Sequence, residues 1–146
     1  MVSRRLSKEE NDIWLANLPK KSVAVKAIIK SSSGNVLLVK PYFKDGLQFP
    51  GGGVEPAEDP KDALIRELKE ELDLTLDKDK FKLVDSVFRK QYENLMLIYE
   101  YLLPIDEDHP IEYGDDEIEN YRYENPSNVA SLISDYYYDF WQNYIS

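Results

Sequence analysis

Apolar residues along this chain recur in two rhythms, and the switches between them mark out its elements. Residues 22–29 (SVAVKAII) and 36–39 (VLLV) are β-branched runs that predict strands, with Ser31-Ser32-Ser33-Gly34-Asn35 as the turn between them. Leu47-Gln48-Phe49 predicts a short strand feeding a glycine turn at 51–53. After Asp59 the rhythm turns helical: Ala63, Leu64, Leu68 and Leu72 share one face, Asp59 can cap the start and Pro60 suits the first helical position. Asp73, which tolerates left-handed backbone better than most residues, is expected to end this helix. Residues 81–90 and 95–103 predict two strands of a hairpin joined at Tyr92-Glu93-Asn94, and residues 117–123 predict another strand. Between them, 104–116 is a long acidic loop, the expected place for a lid or specificity segment. Ser7 followed by Glu10 predicts a capped N-terminal helix that Pro19 ends. Asn125-Pro126-Ser127 predicts the start of a final helix with Val129, Leu132, Ile133, Tyr136, Tyr137 and Phe140 on its apolar face.

Strands on either side of one helix, with a second helix at the end, predict an α/β fold: a mixed sheet sandwiched between helices. No repeat, linker or low-complexity tract divides the 146 residues, so one domain over 1–146 is expected. No apolar run is long enough for a membrane span, and Arg4, Arg5 and Lys8 lead into acidic residues, not into a signal-peptide core. The sequence contains no cysteine, which excludes disulfides and thiolate metal sites and points to the cytoplasm. A net charge of −10 argues against a nucleic-acid polymer as partner, since phosphate backbones reward clustered Lys and Arg. A small phosphorylated partner is compatible with that charge, because a bound cation and a few local bases reverse the field locally.

The densest chemistry lies at Arg66-Glu67-Leu68-Lys69-Glu70-Glu71. On a helix Glu67, Glu70 and Glu71 fall on one strip, where like charges repel by a few tenths of a kcal/mol per pair, about 0.2–0.5. A hard divalent cation turns that repulsion into a site, because Mg²⁺ takes oxygen ligands and keeps its own waters. Taken alone, DALIRELKEEL could be a solvated amphipathic helix with an Asp62–Arg66 ion pair. Such a helix has no need of Phe-Pro-Gly-Gly-Gly at a fixed distance upstream, and glycines let backbone approach a ligand closely.

These residues resemble the box of the Nudix hydrolase family. Gly52, Glu58, Arg66, Glu67, Leu68, Glu70, Glu71 and Leu74 fill eight of its nine specified positions at the matching spacing; the ninth, usually glycine, is Asp73. The resemblance implies a Nudix-type α/β/α sandwich and hydrolysis of a pyrophosphate bond in a nucleoside diphosphate derivative by metal-activated water. It further implies Glu67 and Glu71 as principal metal ligands, with Glu70 as a further ligand or base. The carbonyl of Gly51 or Gly52 would join the metal, and Arg66 would orient the glutamates with Glu58 as its partner. Mg²⁺ is the expected cofactor, with Mn²⁺ as a substitute. For the additional acid that many members use, Glu117 is the candidate and Glu119 the second; the only histidine, His109, is expected to face solvent.

Substrate identity is less legible. The proline found past the box in ADP-ribose enzymes of the family is missing from Arg89-Lys90-Gln91-Tyr92, whereas Tyr92, eighteen residues after Leu74, resembles the marker of dinucleoside polyphosphate hydrolases. Lys40, Arg89, Lys90 and Lys44 are candidate phosphate binders, and Tyr42, Phe43 or Tyr92 could stack on a base. The expected partner is a small nucleotide, with the protein a monomer or homodimer. A catalytically silent nucleotide-binding module would show a degenerate glutamate set, and here the set is complete. An ADP-ribose or nucleotide-sugar pyrophosphatase is the nearer alternative.

Overall fold

The computed structural model describes residues 5–42, 44, 46–114 and 116–146. Ser7 and Glu10 form the expected reciprocal cap on α1 (Lys8–Ala16), a helix with no buried residue. Strand β1 (Ser22–Ile28) pairs in parallel with β5 (Asn94–Tyr101) and antiparallel with β3 (Gly51–Gly53); β4 (Phe81–Arg89) pairs antiparallel with β5. The order is β3-β1-β5-β4, a mixed four-stranded sheet. Strands β2 (Val36–Pro41) and β6 (Ile118–Glu124) make a second, antiparallel pair. Backbone bonds from Leu37 to Ile29 and from Val39 to Gln48 tie β2 to the end of β1 and to the segment before the glycines.

Alternation along β1 builds two cores. Val25, Ala27 and Ile29 pack with Leu64, Leu68 and Leu72 of α2 (Pro60–Leu72), while Ala24 and Ile28 pack with Val129, Tyr137 and Trp141 near the C-terminus. Helices therefore cover both faces of a mixed sheet, the expected α/β/α sandwich. The second face is largely aromatic: Phe49 meets Tyr137 edge-on with ring centroids 5.0 Å apart, and Trp141 at 5.7 Å.

Three details depart from the sequence reading. The glycines are themselves the strand, and Leu47 and Gln48 make only isolated bridges. Glycine is required because Gly51 has φ +141° and an added Cβ would lie 2.0 Å from the Val25 carbonyl oxygen. The C-terminal segment is not one helix: α3 (Pro126–Val129) stops early, and α4 begins only at Tyr138 (Tyr138–Ile145). Between them the chain pairs with Leu47, whose N–H donates to the Leu132 carbonyl at 2.7 Å, so backbone groups needed to continue the helix are spent on that bridge. The acidic loop is also anchored at several points. Ile105 and Ile111 are buried, Glu112 N–H donates to the Leu72 carbonyl at 3.2 Å, and Ser33 donates to Glu107 at 2.7 Å. Phe43, a stacking candidate, lies outside the described residues. No described helix is long and apolar enough to cross a membrane.

Candidate active site

Four apolar side chains decide which way α2 faces. Ala63, Leu64, Leu68 and Leu72 have no exposed surface, and the helical repeat then turns Glu67, Glu70 and Glu71 toward the glycine strand. Asp59 starts the helix by accepting a hydrogen bond from the Lys61 N–H at 2.9 Å, and Asp73 ends it at φ 52° in the left-handed region. Glu71 lies deepest, 8% exposed, and accepts a hydrogen bond from the Gly51 N–H at 3.2 Å. The Glu67 carboxylate sits over Gly52, where an added Cβ would come within 2.5 Å of its Oε2. Glu70 is the open member, with 53% of its side chain exposed.

Arg66 organises the strip. Its Nε and Nη2 form a fork on the two Glu58 oxygens at 2.8 and 2.9 Å, Nη2 also donates to the Gly53 carbonyl at 3.0 Å, and Nη1 donates to Glu67 at 2.9 Å and Glu70 at 3.2 Å. All five guanidinium N–H donors are thereby engaged. The Asp62–Arg66 pair read from the sequence does not form, because Asp62 accepts from Lys78 at 2.6 Å. Hydrogen bonding to Arg66 holds the Glu58 carboxyl down at about 2. Burial pushes the Glu71 and Glu67 carboxyls above their ordinary range, and the charge of Glu117 raises both further.

Glu117 stands in the turn before β6, where a cleft of about 100 Å³ is lined by Glu70, Glu71, Gly114, Asp116 and Glu117. Asp116 was not among the sequence candidates, although it adjoins one in an acidic run. Among the described residues no three acidic groups already stand together as a cage for an ion, since Arg66 and the Gly51 N–H hold individual carboxylates. The donor set nevertheless suits a hard divalent cation: carboxylate oxygens only, one of them buried, crowded by further acids. His109 is exposed, as expected.

The three substrate candidates separate. Lys40 donates to the carbonyls of Pro41 at 2.8 Å and Lys44 at 3.0 Å and lies 3.9 Å from Glu119, committing its charge to the β2–β6 side. Arg89 and Tyr92 share a cavity of about 710 Å³, in which the guanidinium lies 5.2 Å from the Tyr92 ring and 5.0 Å from that of Tyr136. Asn94 accepts from Arg89 Nε and Nη2 at 3.1 and 2.9 Å and donates to Ser22 at 2.8 Å.

Sequence reasoning also missed Lys26. It interrupts the buried run of β1, pairs with Gly51, and lies within electrostatic reach of Glu71, Glu67, Lys44 and Arg89. The residue retains some open surface, yet protein crowds its ammonium, and burial lowers its pKa against the pull of Glu71. A lysine inside an otherwise apolar strand was the available signal.

Known proteins share part of this sequence and its fold. The RNA pyrophosphohydrolase of Pseudomonas putida is 45% identical over 53 residues, 36% of this chain and 33% of that protein. The chain thus spans about a third of the length of the curated relatives it matches. The MutT protein of Methanosarcina mazei superposes with a TM-score of 0.69 at 20% identity, covering 88% of this chain and 96% of that one. A Caenorhabditis elegans Ap4A hydrolase gives 0.62 at 18% identity, covering 86% and 96%. At such identities the likeness concerns the fold. A family model described as the NUDIX domain matches residues 20–140, from just before β1 into α4. With so little of the sequence outside that match, the chain belongs to the NUDIX domain family.

Proposed function

We propose that this chain is a divalent-metal-dependent pyrophosphohydrolase of nucleoside di- or triphosphate derivatives that releases a nucleoside monophosphate. The observation that carries the reading is the pair Glu67 and Glu71 pressed onto glycine backbone, with Arg66 fixing Glu67 beside them. A phosphoric anhydride resists hydrolysis chiefly because its negative oxygens repel a nucleophile. Mg²⁺, or Mn²⁺ in its place, would neutralise that charge and acidify water, held by Glu67, Glu70, Glu71 and the Gly52 carbonyl. The chain's own groups supply the rest. Arg66 is a positioning residue, since its donors are spent on Glu58, Glu67, Glu70 and the Gly53 carbonyl and none remains for phosphate. Glu117, on the open side of the same cleft, accepts the proton as water oxygen bonds to phosphorus and the bridging P–O bond breaks.

Among nucleotides, dinucleoside polyphosphates rank ahead of ADP-ribose, supported by Tyr92 in the cavity and by the missing proline marker. A second reading, a pyrophosphate carried on RNA, is favoured by the name of the Pseudomonas putida relative. The net charge of −10 speaks for short substrates over long strands.

The test is a screen of nucleoside triphosphates, dinucleoside polyphosphates, ADP-ribose and nucleotide sugars with Mg²⁺ and with Mn²⁺, alongside Glu71→Gln. The variant keeps side-chain volume and an acceptor for Gly51 N–H, so it should fold. Its turnover should fall by about two orders of magnitude or more. Metal at about a hundred times its Kd should stabilise the wild type by about 2.7 kcal/mol and the variant far less. Near wild-type turnover in a folded variant removes the proposed site. Absence of cleavage with either metal transfers the reading to a nucleotide-binding module.

A further inference from the structure

In a chain with 28 acidic and 18 basic residues, the cavity at the Ser22 end of β1 is an exception. Its lining includes Lys44, Arg89 and Lys90 and no acidic side chain among the described residues. Three cations facing one hollow repel one another, and the protein retains the arrangement by building support around Arg89. The rings of Tyr92 and Tyr136 lie about 5 Å from the guanidinium, and Asn94, itself fixed by Ser22, accepts from Nε and Nη2. Among the described residues Nη1 takes no hydrogen-bond acceptor, and it is the donor available to a ligand. The two tyrosines are engaged by arginine, which argues against a simple slot for an uncharged base between them. Lys26 lies on β1 opposite Gly51, whose N–H holds Glu71, and on the same strand face as Ser22, which lines the cavity. One face of β1 therefore runs from beside the carboxylates, past Lys26, to the cavity.

We propose that this cavity is a polyphosphate-binding site in which Arg89, Lys44 and Lys90 hold the phosphates beyond the scissile bond and Lys26 carries the chain to them. The inference rests on the hydrolase reading and narrows its substrate class to compounds with three or more phosphates in a row. Diphosphates whose far side is an uncharged sugar leave this charge uncompensated. The cavity, at about 710 Å³, is of ordinary ligand-pocket size.

Calorimetry in chelator separates the site from metal and turnover. Inorganic tripolyphosphate should bind the wild-type protein more tightly than inorganic phosphate or adenosine. Arg89→Met, and separately the more conservative Lys44→Gln, should each weaken tripolyphosphate at least about tenfold, with folding checked by melting curves. With Mg²⁺ present, the ratio of kcat/KM for a dinucleoside tetraphosphate to that for ADP-ribose should fall in the same variants. Tripolyphosphate binding that is absent from the wild type, or undiminished in both folded variants, overturns the proposal. A wild-type preference for ADP-ribose over every polyphosphate overturns it too, while leaving the hydrolase reading intact. Failure of the wild type to cleave any pyrophosphate strikes the hydrolase reading, and the calorimetry still decides the site.

Discussion

Glu58 accepts two hydrogen bonds from Arg66 and a third from the Glu55 N–H at 3.0 Å. Its carboxyl therefore gives up its proton more readily in the folded protein than in the unfolded chain. The stabilisation is complete above its ordinary pKa of about 4.5 and disappears as pH falls through about 2. In Glu58→Gln this component is gone, so the melting temperatures of wild type and variant should converge as the solution is acidified across that window. A gap that stays constant would mean the fork carries no net stabilisation. The pairing of Glu58 with Arg66 was legible only through the family resemblance, whose box fixes both positions; the residues alone suggested Asp62 instead. Lys26 was not legible, because its significance lies in what surrounds it, Glu71 from one element and Arg89 from another. The same reason explains Asp62: the competing Lys78 comes from beyond the helix, and linear distance gave no hint of it.

At the scale of elements, α2 was readable from its cap to its end, since Asp59, Pro60 and the leucine stripe all act locally. Its last turn offers a measurable weakness. Asp73 holds φ 52°, a conformation that costs a side-chain-bearing residue about 1–2 kcal/mol, and regains little through its surface pair with Lys69. Asp73→Gly should stabilise the protein by about 0.5–1 kcal/mol in denaturant titration and leave turnover unchanged, because the residue lies beyond the last carboxylate. A loss of stability would show that the Lys69 pair outweighs the backbone. The C-terminal segment was misread for the opposite reason. Its apolar face is genuine, with Val129, Ile133, Tyr137 and Phe140 all buried, but periodicity does not reveal that Leu47 will take its backbone bonds. Nor could the glycines be recognised as a strand before the Val25 carbonyl was known to lie against Gly51.

The sequence as a whole is strongly acidic, while the lining of one cavity carries three cations and no acid among the described residues. The net charge repels an approaching anion, with the repulsion screened over about 8–10 Å at ordinary salt. Lengthening an RNA substrate beyond the few nucleotides the cavity can contact should therefore bring no gain. For oligoribonucleotides ending in a 5′-pyrophosphate linkage, kcat/KM should stay level or fall as the strand grows, and added salt should help the longer strands most. A steep rise with length, weakened by salt, would identify an RNA-binding face and reverse the preference for small nucleotides. Overall acidity was plain from composition. The cations of its local reversal were among the sequence's phosphate-binding candidates, but that Lys44, Arg89 and Lys90 share one cavity without Lys40 was not legible, because they come from a loop and a hairpin that only the folded sheet brings together.

The bridge between Leu47 and Leu132 has a consequence for how the protein comes into being. Synthesis reaches the last box glutamate at Glu71 long before it reaches β5, the parallel neighbour of β1, or Tyr137 and Trp141, on which Phe49 rests. Until those residues emerge, the glycine strand has β1 beside it but lacks the rest of its sheet and its aromatic bed, and the surface that holds the carboxylates is incomplete. At about 5–20 residues per second the nascent chain spends several seconds with its chemistry already translated and no geometry in which to use it. The box is made well before the segments that support it, and it becomes a site only when they arrive.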